Sequence, residues 1–197
     1  MAFSKSNLCL FCSPKSKTLN KLHETLNFYL LTDGAPLGPG HLLLVPKKHF
    51  SCYGNLPKKL DKEFSLLKET ISTFLGKNFG RFILFEHGIL GQTVFHAHLH
   101  FLPTNKRVFP FAKKTYTVKK IKNFSSLKAV LEKEKGYLYF AEDSSDFIIK
   151  AKNPPPGFFH TYLLSKLLDV PAEFDKRAKN SKKVFIQTNK LWKDTVV

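Results

Sequence analysis

Three histidines in one short stretch have the types and the spacing for nucleophilic, acid–base or metal chemistry. His96, His98 and His100 stand at positions i, i+2 and i+4, with apolar residues such as Ala97 and Leu99 between them. Side chains alternate between the two faces of a strand, so the spacing predicts three imidazoles on one face, about 7 Å apart. The apolar partners indicate a buried opposite face and argue against a stripe of solvated histidines. A metal cluster stays open, because imidazole is the commonest metal ligand.

Cys9 and Cys12 form a second candidate site. A CxxC pair supplies two thiolates at a spacing that suits zinc, which takes four N or S ligands. Two alternatives stay open: a redox pair, which the lack of a following βαβ pattern disfavours, and two ordinary cysteines near a buried N-terminus. Three cysteines, with Cys52 as the odd one, do not make a disulfide framework, and we expect a reducing compartment.

The elements that position these residues follow from the periodicity of the apolar residues. Four strands are predicted, at 27–33, 41–46, 81–85 and 94–102. A Gly- and Pro-rich loop, 34–40, joins the first two, and apolar residues spaced by three and four predict one long helix within 57–78. Because strands and helix do not alternate regularly, we expect an α+β fold with an antiparallel sheet.

The composition changes after Pro103, which suggests a second part of the chain. We predict a first domain over 1–103, a basic, extended connector over 104–123 and a smaller α+β extension over 124–197 that packs on the first domain. Within the extension we predict a helix at 126–135 with Ser125 as its cap, a hairpin of 137–141 with 146–150, a stiff break at 154–157 and a helix at 158–168. Trp192 is a candidate docking residue for the polar C-terminal segment.

The overall composition limits the class of protein. The 197 residues are 43% hydrophobic and 24% charged, which excludes disordered, collagen-like and coiled-coil chains. The net charge of +17 suits polyanionic partners such as nucleotides or RNA. The Lys and Phe bias of an A+T-rich coding sequence explains the charge equally well. No apolar run approaches the roughly 20 residues of a membrane span, and we expect a cytoplasmic protein without membrane contact, a nuclear location staying open.

The histidine stretch resembles the signature of the histidine triad (HIT) family, His-φ-His-φ-His-φ-φ, where φ is apolar. The segment 91–94 (GQTV) is similar to the residues before that signature, and 39–49 (PGHLLLVPKKH) is similar to an earlier strand of the family. The stretch Phe-Glu-His-Gly at 85–88 and the C-terminal extension resemble a longer branch, whereas small members have Asn-x-Gly there. A glutamate at 86 would repel phosphate unless it is turned away or paired.

The resemblance implies a histidine-triad-like sheet and a nucleotidyl hydrolase or transferase. Such an enzyme cleaves a phosphoester, phosphoanhydride or phosphoramidate of a nucleotide conjugate through a covalent nucleotidyl-histidine. By position, the family's catalytic residues match His98 as nucleophile, with His100 and His96, and its substrate-binding residues match His41, Gln92 and Thr93. An alternative is a nucleotide- or RNA-binding module with a silent site, and a third hypothesis is a purely structural zinc protein.

The resemblance also implies a metal site, because zinc-bearing branches hold structural zinc with four residues. Those residues match Cys9, Cys12, His49 and His96 here. No organic cofactor is implied. Many relatives form homodimers, so we expect one here, and RNA stays a candidate partner.

Overall fold

The computed structural model describes residues 9–12 and 20–196, and within them eight strands form one antiparallel sheet. The strands, in chain order, are β1 (Lys21–Glu24), β2 (Phe28–Thr32), β3 (Leu42–Pro46), β4 (Phe82–Gly88), β5 (Leu99–Pro103), β6 (Thr117–Ile121), β7 (Tyr137–Glu142) and β8 (Ser145–Lys150). Their order across the sheet is β1-β2-β3-β5-β4-β7-β8-β6. The protein is therefore of the α+β class, as predicted.

Helices cover both faces of this sheet. The α-helices are α1 (Asp61–Phe79), α2 (Val108–Ala112), α3 (Leu127–Glu134), α4 (Ser165–Leu168), α5 (Phe174–Ala178) and α6 (Ser181–Val196), and a π-helical segment, Phe158–Leu164, runs into α4. On one face, α1 buries Leu67, Ile71 and Phe74 in a core shared with Trp192 of α6. On the other face, α2 and the π-helical segment cover the second core. None of the helices among the described residues has the length and apolar character to cross a bilayer.

The histidine stretch departs from the predicted strand in its first half. Strand β5 begins at Leu99, so His96 and His98 precede it. The ladder between β3 and β5 ends at the pair Leu44–Leu99, and the N–H of Ala97 instead donates to the carbonyl of Phe50 at 2.7 Å. The side chains still alternate, because Ala97 and Leu99 lie in the core beneath α1.

The predicted extended connector is structured. Residues 104–123 contain α2 and the edge strand β6, which pairs with β8. The carboxylate of Glu142 accepts the N–H groups of Val108 and Phe109 at 2.8 and 2.9 Å, and so caps α2 through a residue far along the chain. The sequence pattern around α2 cannot predict such a cap, because the capping residue is distant in the sequence. The division of the chain at 103 and 124 stays a proposal.

Up to Leu168 the extension has the predicted elements in the predicted order, but helices α5 and α6 were not predicted. The helix at 127–134 and the hairpin of β7 with β8 are confirmed, and so is the helical segment that begins at Phe158. The predicted cap at Ser125 is wrong: the side chain of Asn123 accepts the N–H of Ser126 at 3.2 Å. Trp192 is 3% exposed and packs on Phe74, as a docking residue would.

Candidate active site and metal centre

A cavity of about 290 Å³ opens beside the histidine stretch. Its lining comes mainly from the segment 9–12, the end of β2 with the loop after it, β3, the stretch that leads into β5, and the C-terminal extension. Its polar lining includes Asp33, Thr93, His98, His100, His160 and Arg177, and apolar walls come from residues such as Phe11, Leu31, Leu43 and Val94.

His98 has one nitrogen fixed and one free. Its Nδ1 lies 2.6 Å from the backbone oxygen of His96, so this nitrogen bears the proton and donates it to the carbonyl. Burial lowers the pKa of His98, although the His96 carbonyl partly opposes this effect. Nε2 therefore keeps its lone pair in a ring that lines the cavity. An imidazole nitrogen of this kind is a nucleophile.

His41 and His100 form a hydrogen-bonded pair behind the cavity wall. The N–H of Leu37 donates to Nδ1 of His41 at 3.1 Å, so the His41 proton lies on Nε2. That Nε2 lies 3.1 Å from Nδ1 of His100 and donates to it. Nε2 of His100 is then an N–H donor, buried and without a partner among the described residues. Burial lowers the pKa of His41 to about 4 and that of His100 well below its usual value, so both rings are neutral.

Asp33 is a buried carboxylate at the centre of these rings. Its Oδ1 accepts the N–H of Ala35 at 2.7 Å, and its Oδ2 lies 3.8, 3.5 and 3.4 Å from nitrogens of His41, His100 and His160. Burial on its own would raise the pKa of Asp33, but the three histidines outweigh it and hold that pKa well below the usual range. The site therefore contains a fixed negative charge beside three imidazole rings.

Two residues of the extension reach this carboxylate region. His160 lies on the π-helical segment and packs against His41 and His100, with ring centroids 5.6 and 4.8 Å away. Arg177 of α5 is 4% exposed and donates to the carbonyls of Ala35, Pro171 and Ala172. It therefore ties the extension to the loop after β2.

A second cluster lies on the other side of the histidine stretch. Donor atoms of Cys9, Cys12, His49 and His96 all lie within 4.8 Å of one another. Three of its four sulfur–nitrogen distances are 3.3 to 3.4 Å, close to the roughly 3.5 Å that tetrahedral zinc imposes between a thiolate and an imidazole. Nε2 of His96 lies 2.7 Å from the carbonyl of Pro46 and donates to it. Nδ1 is therefore the nitrogen that can bind a metal. In zinc sites, a hydrogen bond from the other ring nitrogen orients the histidine in the same way. The four residues fit a zinc ion.

Comparison with known proteins identifies the family. The HIT domain model matches residues 15–107. An uncharacterized HIT-like protein of Mycoplasma genitalium is 31% identical over 109 residues, which are 52% of this chain and 77% of that protein. The chain belongs to the HIT family. The adenylylsulfatase HINT3 of Arabidopsis thaliana is 28% identical over 51% of this chain and 54% of its own length. A solved structure, a hypothetical histidine triad nucleotide-binding protein of Sulfolobus tokodaii, is 17% identical, covers 95% of this chain and 96% of its own, and has a TM-score of 0.46.

Family membership places the chain among nucleotide hydrolases and transferases, and the site shows where each expected residue lies. His98, His100 and Thr93 line the cavity, and His41 lies directly behind it. Gln92 does not line it, because its amide donates to the carbonyl of Ser51 at 2.7 Å. Each of these roles stays a proposal.

Other residues around the cavity have no strong sequence pattern. Asp33 ends an apolar strand before a turn, which is a weak signal for a functional side chain. His160 and Arg177 give no local signal, because only the folded extension brings them to the cavity. Glu86 is buried and does not line the cavity. Its carboxylate accepts hydrogen bonds from the N–H of Tyr53 and the hydroxyl of Tyr137 at 2.7 and 2.6 Å.

Proposed function

We propose that this HIT protein hydrolyses or transfers the nucleotidyl group of a nucleotide conjugate through a covalent intermediate on His98. The observation that supports this most directly is the His98 ring. Its Nδ1 donates to the backbone oxygen of His96, and the ring lines a cavity beside a donor that has no partner among the described residues. The substrate is a phosphoanhydride, phosphoester or phosphoramidate of a nucleotide.

The reaction has two displacements. In the first, Nε2 of His98 attacks the α-phosphorus, and the bond from phosphorus to the leaving group breaks with its electron pair on that group. In the second, water attacks the same phosphorus, and the electron pair of the phosphorus–nitrogen bond returns to Nε2. The carbonyl of His96 stabilises the positive charge that the ring acquires on forming the intermediate, since Nδ1–H donates to it.

Two further groups fit the phosphate. Nε2–H of His100 is a buried donor without a protein partner among the described residues, and a phosphate oxygen would supply the missing acceptor. Thr93 also lines the cavity, and its hydroxyl would donate to a second oxygen. For Gln92 to bind phosphate as predicted, its amide has to leave the carbonyl of Ser51.

We also propose that Cys9, Cys12, His49 and His96 hold a structural zinc ion. The distances and the fixed tautomer of His96 support this site. Zinc there would hold the segment 9–12 against the histidine stretch, and Phe11 of that segment lies against the ring of His98 at 5.6 Å. The metal thus has a positioning role in this proposal and takes no part in the bond changes.

Turnover by His98→Ala tests the nucleophile. Wild type and variant are incubated with AMP and GMP phosphoramidates, dinucleoside polyphosphates and nucleotide sugars, and released mononucleotide is measured. We expect the variant to lose at least about 10³-fold in turnover, as enzymes do when their nucleophile is removed. The matched control is His23→Gln, an exposed histidine on β1 that should keep wild-type turnover.

Two outcomes would contradict this proposal. Equal turnover by His98→Ala and wild type would exclude a nucleotidyl-histidine on His98. A wild type without turnover that still binds nucleotide or RNA, with affinity falling steeply with salt, would favour the binding module that the charge of +17 suggests. Homodimer formation and RNA binding stay predictions.

A further inference from the structure

We propose that His160, from the C-terminal extension, is the general acid that protonates the leaving group, so that the extension completes the active site. This inference rests on the proposed function. His160 lines the same cavity as His98 and His100. It lies on the π-helical segment Phe158–Leu164, outside the residues 15–107 that match the HIT domain model.

The geometry makes His160 a proton donor paired with a carboxylate. Its Nε2 lies 3.4 Å from Oδ2 of Asp33, and its Nδ1 has no hydrogen-bond partner in the part of the chain that the structure describes. A carboxylate that holds one N–H of an imidazole orients the ring and stabilises its protonated form. The other two histidines beside that carboxylate, His41 and His100, are hydrogen-bonded to each other at 3.1 Å. His160, with a side chain 16% exposed, is the member of this group that reaches the open cavity most freely.

A metal ion explains this group less well. Donor atoms of Asp33, His41, His100 and His160 lie within 4.8 Å of one another, as in a three-histidine, one-carboxylate centre. A metal on Nε2 of His41 would require the proton of that ring to lie on Nδ1. Nδ1 accepts the N–H of Leu37 at 3.1 Å and has no room for a proton. The group is therefore a set of hydrogen-bonded rings around a carboxylate.

Two hydrogen bonds from backbone N–H groups fix the segment immediately before His160. The N–H of Phe159 donates to Nε2 of His87 at 3.1 Å, and the N–H of Gly157 donates to the carbonyl of Gly91 at 2.8 Å. A Cβ atom on Gly91 would lie 2.9 Å from the carbonyl oxygen of Pro155, so the two backbones approach closely. These contacts join the segment that holds His160 to the loop before His98. π-Helical turns of this kind occur frequently at functional sites.

The proton transfer completes the first displacement. As Nε2 of His98 bonds to phosphorus, the leaving atom departs with the electron pair of its bond and takes the proton from Nδ1 of His160. Neutral His160 then accepts a proton from the water that attacks the intermediate, which restores both histidines. The sum of the two steps is addition of water across the bond from phosphorus to the leaving group.

Leaving-group dependence tests this assignment. Wild type and His160→Gln are compared on an alkyl phosphoramidate of AMP, whose amine must be protonated to leave, and on the p-nitrophenyl ester of AMP, whose phenolate leaves without a proton. We expect the single-turnover rate of leaving-group release, which measures the first displacement alone, to fall about 100-fold in the variant on the phosphoramidate and less than about threefold on the ester. Glutamine keeps a donor for Asp33, and thermal unfolding verifies that the variant is folded. In His160→Ala, added imidazole should restore single-turnover release of the leaving group from the phosphoramidate alone.

The outcomes separate this inference from the function on which it rests. If His160→Gln slows both substrates equally, or slows neither, His160 is not the acid, while turnover by wild type and its loss in His98→Ala still support the nucleotidyl-histidine. If wild type turns over neither substrate, the proposed function fails and the role of His160 fails with it. His23→Gln is the control histidine and should match wild type on both substrates.

Discussion

Three histidines of the site have one ring nitrogen bound to a backbone group. The N–H of Leu37 fixes His41, the carbonyl of Pro46 fixes His96, and the carbonyl of His96 fixes His98. Each ring therefore presents one defined nitrogen: His41 an N–H to His100, His96 a lone pair to the cysteines, and His98 a lone pair to the cavity. The same residue type performs three different tasks because the backbone selects the tautomer.

Glu86 should give the protein a distinct pH dependence of stability. Burial raises the pKa of Glu86 to about 7, against the hydrogen bonds from Tyr137 and Tyr53 that lower it. Between about pH 4.5 and 7 the folded state then holds a proton that the unfolded state has released. The free energy of unfolding should fall as pH rises through this window, by about 3 kcal/mol at most. Glu86→Gln removes the titration.

Urea unfolding at pH 5 and pH 8 measures this effect. The drop in stability from pH 5 to pH 8 should be larger for wild type than for Glu86→Gln. The difference between the two drops isolates the effect of Glu86, because the contribution of the histidines is the same in both proteins and cancels. Glu132→Gln, an exposed residue on α3, should behave like wild type. Identical drops for wild type and Glu86→Gln would mean that Glu86 stays ionised in the folded protein.

At the residue scale, the sequence indicates His98, the proposed nucleophile, but neither Asp33 nor His160. The alternation at His96, His98 and His100 is a local pattern, and so is the CxxC spacing, which is why both could be proposed from the sequence. Asp33 and His160 are 127 positions apart, and their contact of 3.4 Å exists only after the sheet and the π-helical segment have packed together. A contact of that sequence separation has no periodic signature.

At the element scale, periodicity predicted most strands but missed helices α2, α5 and α6, and it failed where a long-range partner decides the structure. The helix within 57–78 and the hairpin of β7 with β8 bury regular apolar faces, so their patterns were informative. Strand β5 starts later than predicted because the loop at Ala97 pairs with Phe50 instead of continuing the ladder. Helix α2 forms in a basic segment because Glu142 caps it from a distant strand.

The zinc proposal belongs to this scale, since the four ligands come from three separate segments. Cys12→Ser removes a ligand whose sulfur lies 3.4 and 3.3 Å from nitrogens of His49 and His96. We expect zinc content, measured by plasma mass spectrometry, to fall from about one ion per chain to below about 0.1. Chelation should lower the unfolding temperature of wild type to that of the variant, because a structural zinc site contributes folding energy.

The control for this experiment is the third cysteine. Cys52 is buried in the core beneath α1, away from the cluster, and Cys52→Ala should keep its zinc. Wild-type protein purified without zinc, and showing no uptake when zinc is supplied, would overturn the site. Loss of zinc from both cysteine variants would show that unfolding, and not a missing ligand, releases the metal.

At the scale of the whole molecule, the extension and the histidine-triad part share one sheet and one core. Strand β7 pairs with β4 along five residue pairs, and β4 pairs in turn with β5, so the second half of the chain continues the sheet of the first. On the helical side, α6 packs against α1. We therefore expect the proposed domains to unfold together, and the cavity wall that contains His160 to be lost with them.

Trp192→Ala tests this coupling. The indole of Trp192 is 3% exposed and meets Phe74 of α1 edge-on, with ring centroids 5.0 Å apart. Truncation of a buried tryptophan costs about 3–5 kcal/mol. If the chain is one cooperative unit, the variant should unfold in a single transition at lower denaturant concentration. Circular dichroism measures this transition, because the variant lacks the one tryptophan of the chain.

The control is Ile186→Ala, on the same helix but 57% exposed, which should change stability by less than about 0.5 kcal/mol. Two transitions, with only the first shifted, would show instead that α6 detaches while the sheet that holds the histidines stays folded.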